Sequence, residues 1–274
     1  MRSLITVVII AIITSCSSSL VDHNSVRLVG PSSMKGLILK LSSQFMLENP
    51  SINTSINFTK SSDAIERMID NDANITFSTR IFSAEEIKLV AEKYRSIGVT
   101  TTFARDILKL IVNSNNPIQN ISNDDLFSIL TCTKTNWDFL TSKNSDINIF
   151  MISDLAENDS PVKRLVLRNQ KVCSSIDTFD EANSIIEMVL KEENSIGITG
   201  IFKDEGVKTI SVNSIFPSTN EIKNRRYPLE YYLYFLTVAK PEGNSKIFID
   251  WVLSSKGQKI IEELGYGALF TTTH

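Results

Sequence analysis

Apolar residues recur along this chain with two periods that alternate. Residues 25–29 (SVRLV) form a short apolar strand, after which Met34, Leu37, Ile38, Leu41 and Phe45 recur at helical spacing. The stretch INTSINF (52–58) alternates apolar and polar positions as a half-buried strand does, and SDAIERMID (62–70) is amphipathic at the helical period. NITFS (74–78) predicts a strand, and Ser83 with Glu86 three residues on predicts a capping box for a helix through EEIKLVAEKY. ILKLIVN (107–113) predicts an apolar strand closed by SNNP, and Ser122 with Asp125 starts a short helix carrying Leu126, Ile129 and Leu130. INIFMIS (147–153) is a further strand. Ser160-Pro161 then opens a helix with Val162, Leu165 and Val166, the proline standing where its missing N–H costs least. EANSIIEMVLKEE (181–193) predicts a helix, YYLYFLTVA (231–239) a buried strand, and KIFIDWVL and KGQKIIEEL two closing helices. This alternation predicts α/β architecture with mainly parallel sheets. The order of segments alone leaves one domain or two lobes open.

Composition narrows the function more than the fold. The 274 residues are 42% hydrophobic, enough for one large domain or two lobes of ordinary size. A formal charge of −3 without basic runs argues against a nucleic-acid binder. The first residues, MRSLITVVIIAIITSC, have a basic start at Arg2 and an apolar core from Leu4 to Ile13. That core is about half the ~20 residues a bilayer span needs, so residues 1–15 read as an export leader. ITSC resembles a bacterial lipobox, in which Cys16 would be lipidated and residues 16–24 would serve as a polar tether to a membrane surface. Cys132 and Cys173 are open between an oxidised pair, which export permits, and two buried free thiols, the preferred reading. The two histidines, His23 and His274, lie near the ends, which leaves little room for His-based catalysis or a His-ligated metal.

The run VRLVGPSSMKGL (26–37) raises the chemistry most directly. A strand that stops at Gly-Pro-Ser-Ser and enters a helix leaves unpaired backbone N–H groups and two hydroxyls at a helix start, which suits an anion.

Several segments together resemble the phosphate-binding proteins of bacterial phosphate ABC importers, the PstS family, from about residue 26 to 269. The carrying motifs are Tyr227-Pro228-Leu229, Phe248-Ile249-Asp250-Trp251, Gly257-Gln258, Gly265-Tyr266, the stretch NPIQNISNDDLFSILTCTKTNW (116–137) and NSIGITG (194–200). The resemblance implies a two-lobed type II periplasmic-binding-protein fold, with ligand in the cleft and hinge closure around it. Lobe one would be residues 25–105 and 235–274, and lobe two 106–234, with crossings near Phe103–Leu108 and Tyr231–Phe235.

It also implies site residues. Ser33 falls on a hydroxyl ligand and Met34 on a residue giving its backbone N–H. Ser61, in KSSDAI, falls on a phosphate-binding serine, with Lys60 beside it as an added cation. Thr79 and Arg80 fall where the family has Ser-Arg or an aspartate; a guanidinium offers an oxyanion a bidentate fork. In lobe two the family has an arginine and then Ser-Gly-Thr before a helix. Here ISDLAENDSPVKRL (152–165) lacks both and brings two extra carboxylates; Asn158, Asp159 and Ser160 cover the triplet after one shift. Tyr231 stands where the family often has arginine, so Arg80, Lys60 or Arg105 would compensate.

The implied function is an extracytoplasmic lipoprotein, monomeric and without cofactor or metal, that captures inorganic phosphate and delivers it to a membrane ABC permease. It would sit at the cell envelope, on the periplasmic or extracellular side. The alternatives are a degenerate site on a surface interaction lipoprotein, or capture of another oxyanion such as sulfate, molybdate or an organic phosphate. No nucleophile–base pair, metal-ligand spacing or nucleotide loop points to an enzyme.

Overall fold

The computed structural model describes residues 24–142, 144–201 and 206–270. The leader, Cys16, the tether up to residue 23 and both histidines lie outside the described residues. The chain runs β1 (Ser25–Gly30), α1 (Lys35–Glu48), β2 (Asn53–Phe58), α2 (Ser61–Ile69), β3 (Ile75–Ser78), α3 (Ala84–Tyr94) and β4 (Val99–Ile107). It continues through β5 (Lys109–Val112), β6 (Asn120–Ile121), α4 (Asn123–Leu130), β7 (Asn148–Ile152), α5 (Ser153–Ala156) and α6 (Pro161–Leu165). Then follow β8 (Ile176–Phe179), α7 (Ala182–Lys191), β9 (Ser195–Thr199), β10 (Lys208–Thr209), β11 (Ser211–Val212) and α8 (Thr219–Lys223). β12 (Glu230–Thr237), α9 (Gly243–Leu253) and α10 (Ser255–Glu263) complete it.

Two five-stranded sheets organise two lobes, in the orders β2-β1-β3-β12-β4 and β10-β5-β9-β7-β8. In the first, β1 pairs parallel with β2 and β3, while β12 runs antiparallel between β3 and β4. In the second, β7 pairs parallel with β8 and β9, and β5 runs antiparallel to β9. Helices pack on the sheets because their apolar stripes demand it. Val26 and Leu28 join a core with Leu37, Ile38 and Leu41 of α1 and Phe248 of α9, and Val29 joins another with Ile65 and Met68 of α2 and Val90 of α3.

The helix starts follow their local chemistry. Ser83 accepts from the Glu86 amide at 3.2 Å while Glu86 accepts from the Ser83 amide at 2.7 Å, the predicted capping box. Ser122 and Ser160 cap α4 and α6, each hydroxyl accepting from the amide three residues on. β1 ends at Gly30, where a Cβ would lie 2.3 Å from both the Phe77 ring and the Phe77 carbonyl. Only a glycine lets the chain turn there so close to β3.

β4 is the main element that apolar patterning missed. Its sequence VTTTFARDI reads as polar, yet Arg105 is 3% and Asp106 2% exposed. Both charges are held by partners at the hinge, where the chain passes from β4 into β5 and later returns along β12. Leu108 donates its amide to the Leu229 carbonyl at 2.8 Å, and the Tyr227 hydroxyl donates to the Leu108 carbonyl at 3.0 Å. Gln258 donates to the Phe103 carbonyl at 2.9 Å. Motif residues Tyr227 and Gln258 therefore brace the crossings.

Asp106 sits at the centre of this hinge. It accepts from the Tyr231 hydroxyl at 2.8 Å and from the amides of Ile107 at 2.7 Å and Ile201 at 3.0 Å, the last reaching into the second lobe. Burial pushes its carboxyl up to about 6, against the pull of those three donors. The native state therefore holds this proton more tightly than the unfolded chain, and stability falls as pH rises from about 4 to about 6. Asp106→Asn keeps an oxygen for the two amides and turns an NH₂ towards Tyr231. Comparing urea unfolding of the two proteins across that window should show a component of up to about 3 kcal/mol present in the wild type and missing from the variant. Parallel pH profiles would refute this assignment.

Cys132 and Cys173 form a disulfide, with Cα atoms 5.7 Å apart, which corrects the preference for free thiols. Spacing in sequence carries no record of this contact, because α4, β7 and α6 must first fold against each other.

Candidate functional site

The parallel strands of both sheets point their C-terminal ends at the gap between the lobes. From the first sheet, β1 leads to Ser32-Ser33, β2 to Lys60-Ser61 and β3 to Thr79-Arg80. From the second, β7 leads to α5 and the loop 157–160, β8 to Asp180 and β9 to Gly200. Ligands of open α/β sheets bind at such carboxyl ends, where helix starts offer free amides.

The contacts across the gap are specific. The Ser33 amide donates to Asp154 Oδ2 at 3.0 Å, joining the start of α1 to α5 over 121 positions of sequence. Ser33 Oγ lies near the same carboxylate yet is buried without a hydrogen-bond partner among the described residues. The Glu157 carboxylate lies close to the start of α2, and its Oε1 is likewise buried and unpartnered among the described residues. Arg164 of α6 donates to the Thr79 carbonyl at 2.7 Å and to the Asp159 carbonyl. Lys35 pairs with Glu181 at 2.8 Å on the outer rim.

Two grooves follow from these contacts. One of about 370 Å³ is lined by Ser32, Ser33, Lys35, Asp180, Gly200 and Tyr266 among others. The other, of about 400 Å³, is lined by Arg80, Ser83, Asp159, Arg164 and Tyr234. Burial pushes the Asp154 carboxyl above the usual aspartate range, helped by Asp180 and opposed by the Ser33 amide and Lys60. Burial likewise pushes Glu157 up, helped by Asp154.

The residues read from sequence fall into three groups. Ser33 and Ser61 present amides to the opposite lobe. Thr79 presents its carbonyl, and Asn158 and Asp159 stand exposed on the facing loop, with Asp159 at φ 65°. Local bonds engage the others. The Met34 amide closes a turn onto the Pro31 carbonyl at 3.2 Å. Ser160 donates to the Leu155 carbonyl at 2.6 Å as it caps α6. Arg80 gives both terminal nitrogens to Glu86, each at 2.7 Å. Arg105 is committed to the hinge, and Tyr231 to Asp106. Sequence reading did not single out Arg164 or the individual placement of Asp154 and Glu157. Arg164 lies one turn past the α6 cap, a position that faces the gap only once the second lobe has formed.

Comparison with known proteins fits this geometry. The family described as a PBP superfamily domain matches residues 17–256. The phosphate-binding protein PstS of Borreliella burgdorferi is 28% identical over 234 residues, 78% of this chain and 80% of that protein. A solved structure from Clostridium perfringens, assigned as a phosphate ABC transporter substrate-binding protein and holding phosphate, superposes with a TM-score of 0.79 at 22% identity. It spans 90% of this chain and 100% of its own. An ABC-type phosphate transport receptor from Vibrio cholerae gives 0.73 at 21% identity, over 88% and 99%. At these identities the structures show the two-lobed fold.

Proposed function

This chain belongs to the PBP superfamily, and from that membership we propose that it captures inorganic phosphate between its lobes and hands it to a membrane ABC permease. One observation carries the choice of an anion. The Ser33 amide, at a helix start after the parallel strand β1, draws the Asp154 carboxylate from the opposite lobe at 3.0 Å. Helix starts that hold carboxylates hold other oxyanions by the same N–H groups and the same dipole. The name of the PstS relative supports phosphate as that oxyanion.

In this reading Ser33, Ser61 and Thr79 supply the first lobe's contacts, and the 157–160 loop, with Asn158, Asp159 and Ser160, faces them. Met34 shapes the first turn, and Arg80, tied to Glu86, adds field rather than a free fork. Arg164 supplies the second lobe's cation, in the absence of the arginine that the family resemblance led one to expect before the loop. The lobe division at 25–105 with 235–274 against 106–234 is supported to within a few residues by sheet membership. The reading includes an export leader over residues 1–15, a lipid on Cys16, a monomer, and action as a binding protein outside the cytoplasm.

Isothermal titration tests it. Phosphate should bind at micromolar concentration or tighter with sulfate ignored, and silence towards every oxyanion would overturn the proposal. Arg164→Ala should weaken phosphate binding by about tenfold or more, the worth of one charge-assisted contact that forms only when the lobes meet. An unchanged dissociation constant would remove Arg164 from the site.

A further inference from the structure

We propose that Asp154 acts as a built-in competing anion: it occupies the Ser33 amide from the opposite lobe, and phosphate must displace it to enter. The inference rests on the phosphate reading above and concerns the same cleft.

Geometry carries it. The Ser33 amide has one hydrogen to give, and Asp154 Oδ2 takes it at 3.0 Å. Phosphate cannot use that donor while the carboxylate stays. The fit is also incomplete, since Ser33 Oγ and Glu157 Oε1 are buried with no partner among the described residues. A carboxylate has two oxygens in one plane, whereas a tetrahedral oxyanion has four around a centre. Phosphate can therefore take the Ser33 amide and hydroxyl together. Displacement has a cost that lowers apparent affinity, as any populated competing state does.

Charge sets how strongly the competitor holds. Asp154 faces the Ser33 amide from the start of α1, Lys60 from the start of α2, Asp180 from the end of β8 and Glu157 from its own loop. Asp63 of α2 adds a further negative charge opposite Glu157, and Lys35, beyond them, is paired with Glu181. Acidification neutralises the carboxylates that burial has already made easier to protonate, and the competition weakens.

The test compares inorganic phosphate binding by the wild type, Asp154→Asn, Glu157→Gln and Asp63→Asn. Asp63→Asn removes a unit charge nearby without touching an amide of the opposite lobe, so it measures through-space repulsion. Near pH 8, Asp154→Asn should bind phosphate about tenfold more tightly than the wild type, and Asp63→Asn less than about threefold more tightly. The advantage of Asp154→Asn over the wild type should shrink as the pH is lowered, phosphate's own ionisation cancelling between the two proteins. An Asp154→Asn affinity that is unchanged, weaker or equal to that of Asp63→Asn overturns the proposal. If no protein binds phosphate, the phosphate reading fails, and small-angle scattering decides on the contact itself. The double variant Asp154→Asn/Glu157→Gln should then show a larger radius of gyration than the wild type. An equal radius would show that the carboxylates hold nothing.

Discussion

Replacing Cys132 and Cys173 with serine should lower the unfolding free energy by about 4 kcal/mol, the chain-entropy value for a loop closed over 41 positions. The bridge ties the end of α4 to the segment after α6, so it encloses β7, α5, the cleft-facing loop and Arg164. The Cys173 amide donates to the Leu130 carbonyl at 2.9 Å, so the native contact survives without sulfur and the loss falls on the unfolded chain, which regains its freedom. Urea unfolding should give the same lowered midpoint for the double variant and for the wild type in dithiothreitol. A reductant that leaves the midpoint in place would show that the crosslink contributes nothing.

Much of the fold is legible because burial and period coincide. The helical recurrence from Met34 to Phe45 is the buried stripe of α1, and the capping pair Ser83–Glu86 fixes the start of α3 from four residues. β4 escaped for the opposite reason. Three threonines and an Arg-Asp pair carry no apolar period, and the partners brought by β12, α8 and the C-terminal segment make that pair tolerable in the interior. β8 escaped too, since its four residues are only half-buried or exposed and carry little pattern.

The site divides along the same line. Ser33 and Ser61 are legible because a strand that ends in small polar residues and enters a helix must leave amides free. The identity of their partners is not, because Ser33 and Asp154 meet only after two sheets have formed and faced each other. A resemblance that expected an arginine in that segment could note the added carboxylates but could not say which would turn inward. Arg80 shows the converse: its type suits an oxyanion, and Glu86, six residues on, holds both ends of its fork.

Arg105 was one cation that could have stood in at the cleft, and its neighbours give it another task. It donates to both oxygens of Glu230 at 2.8 and 2.9 Å, to the Ile222 carbonyl at 3.0 Å and to the Ala268 carbonyl at 3.1 Å. Its backbone exchanges two hydrogen bonds with Gly267, where a Cβ would lie 2.9 Å from the guanidinium carbon. One side chain thus fastens β4, the start of β12, α8 and the C-terminal segment at the hinge. Arg105→Ala should cost about 3–5 kcal/mol, since it strands a carboxylate that is 13% exposed and deprives two carbonyls of a donor. Arg105→Lys should recover less than half of that, because an ammonium cannot span the fan of acceptors that a planar guanidinium reaches. Phosphate affinity of the folded variant should change by less than about threefold, as no ligand contact is lost. A fall in affinity without a fall in stability would return Arg105 to the cleft. The expected pattern, stability lost and affinity kept, would leave the cleft to Arg164, which reaches across it and whose guanidinium is given to no carboxylate among the described residues.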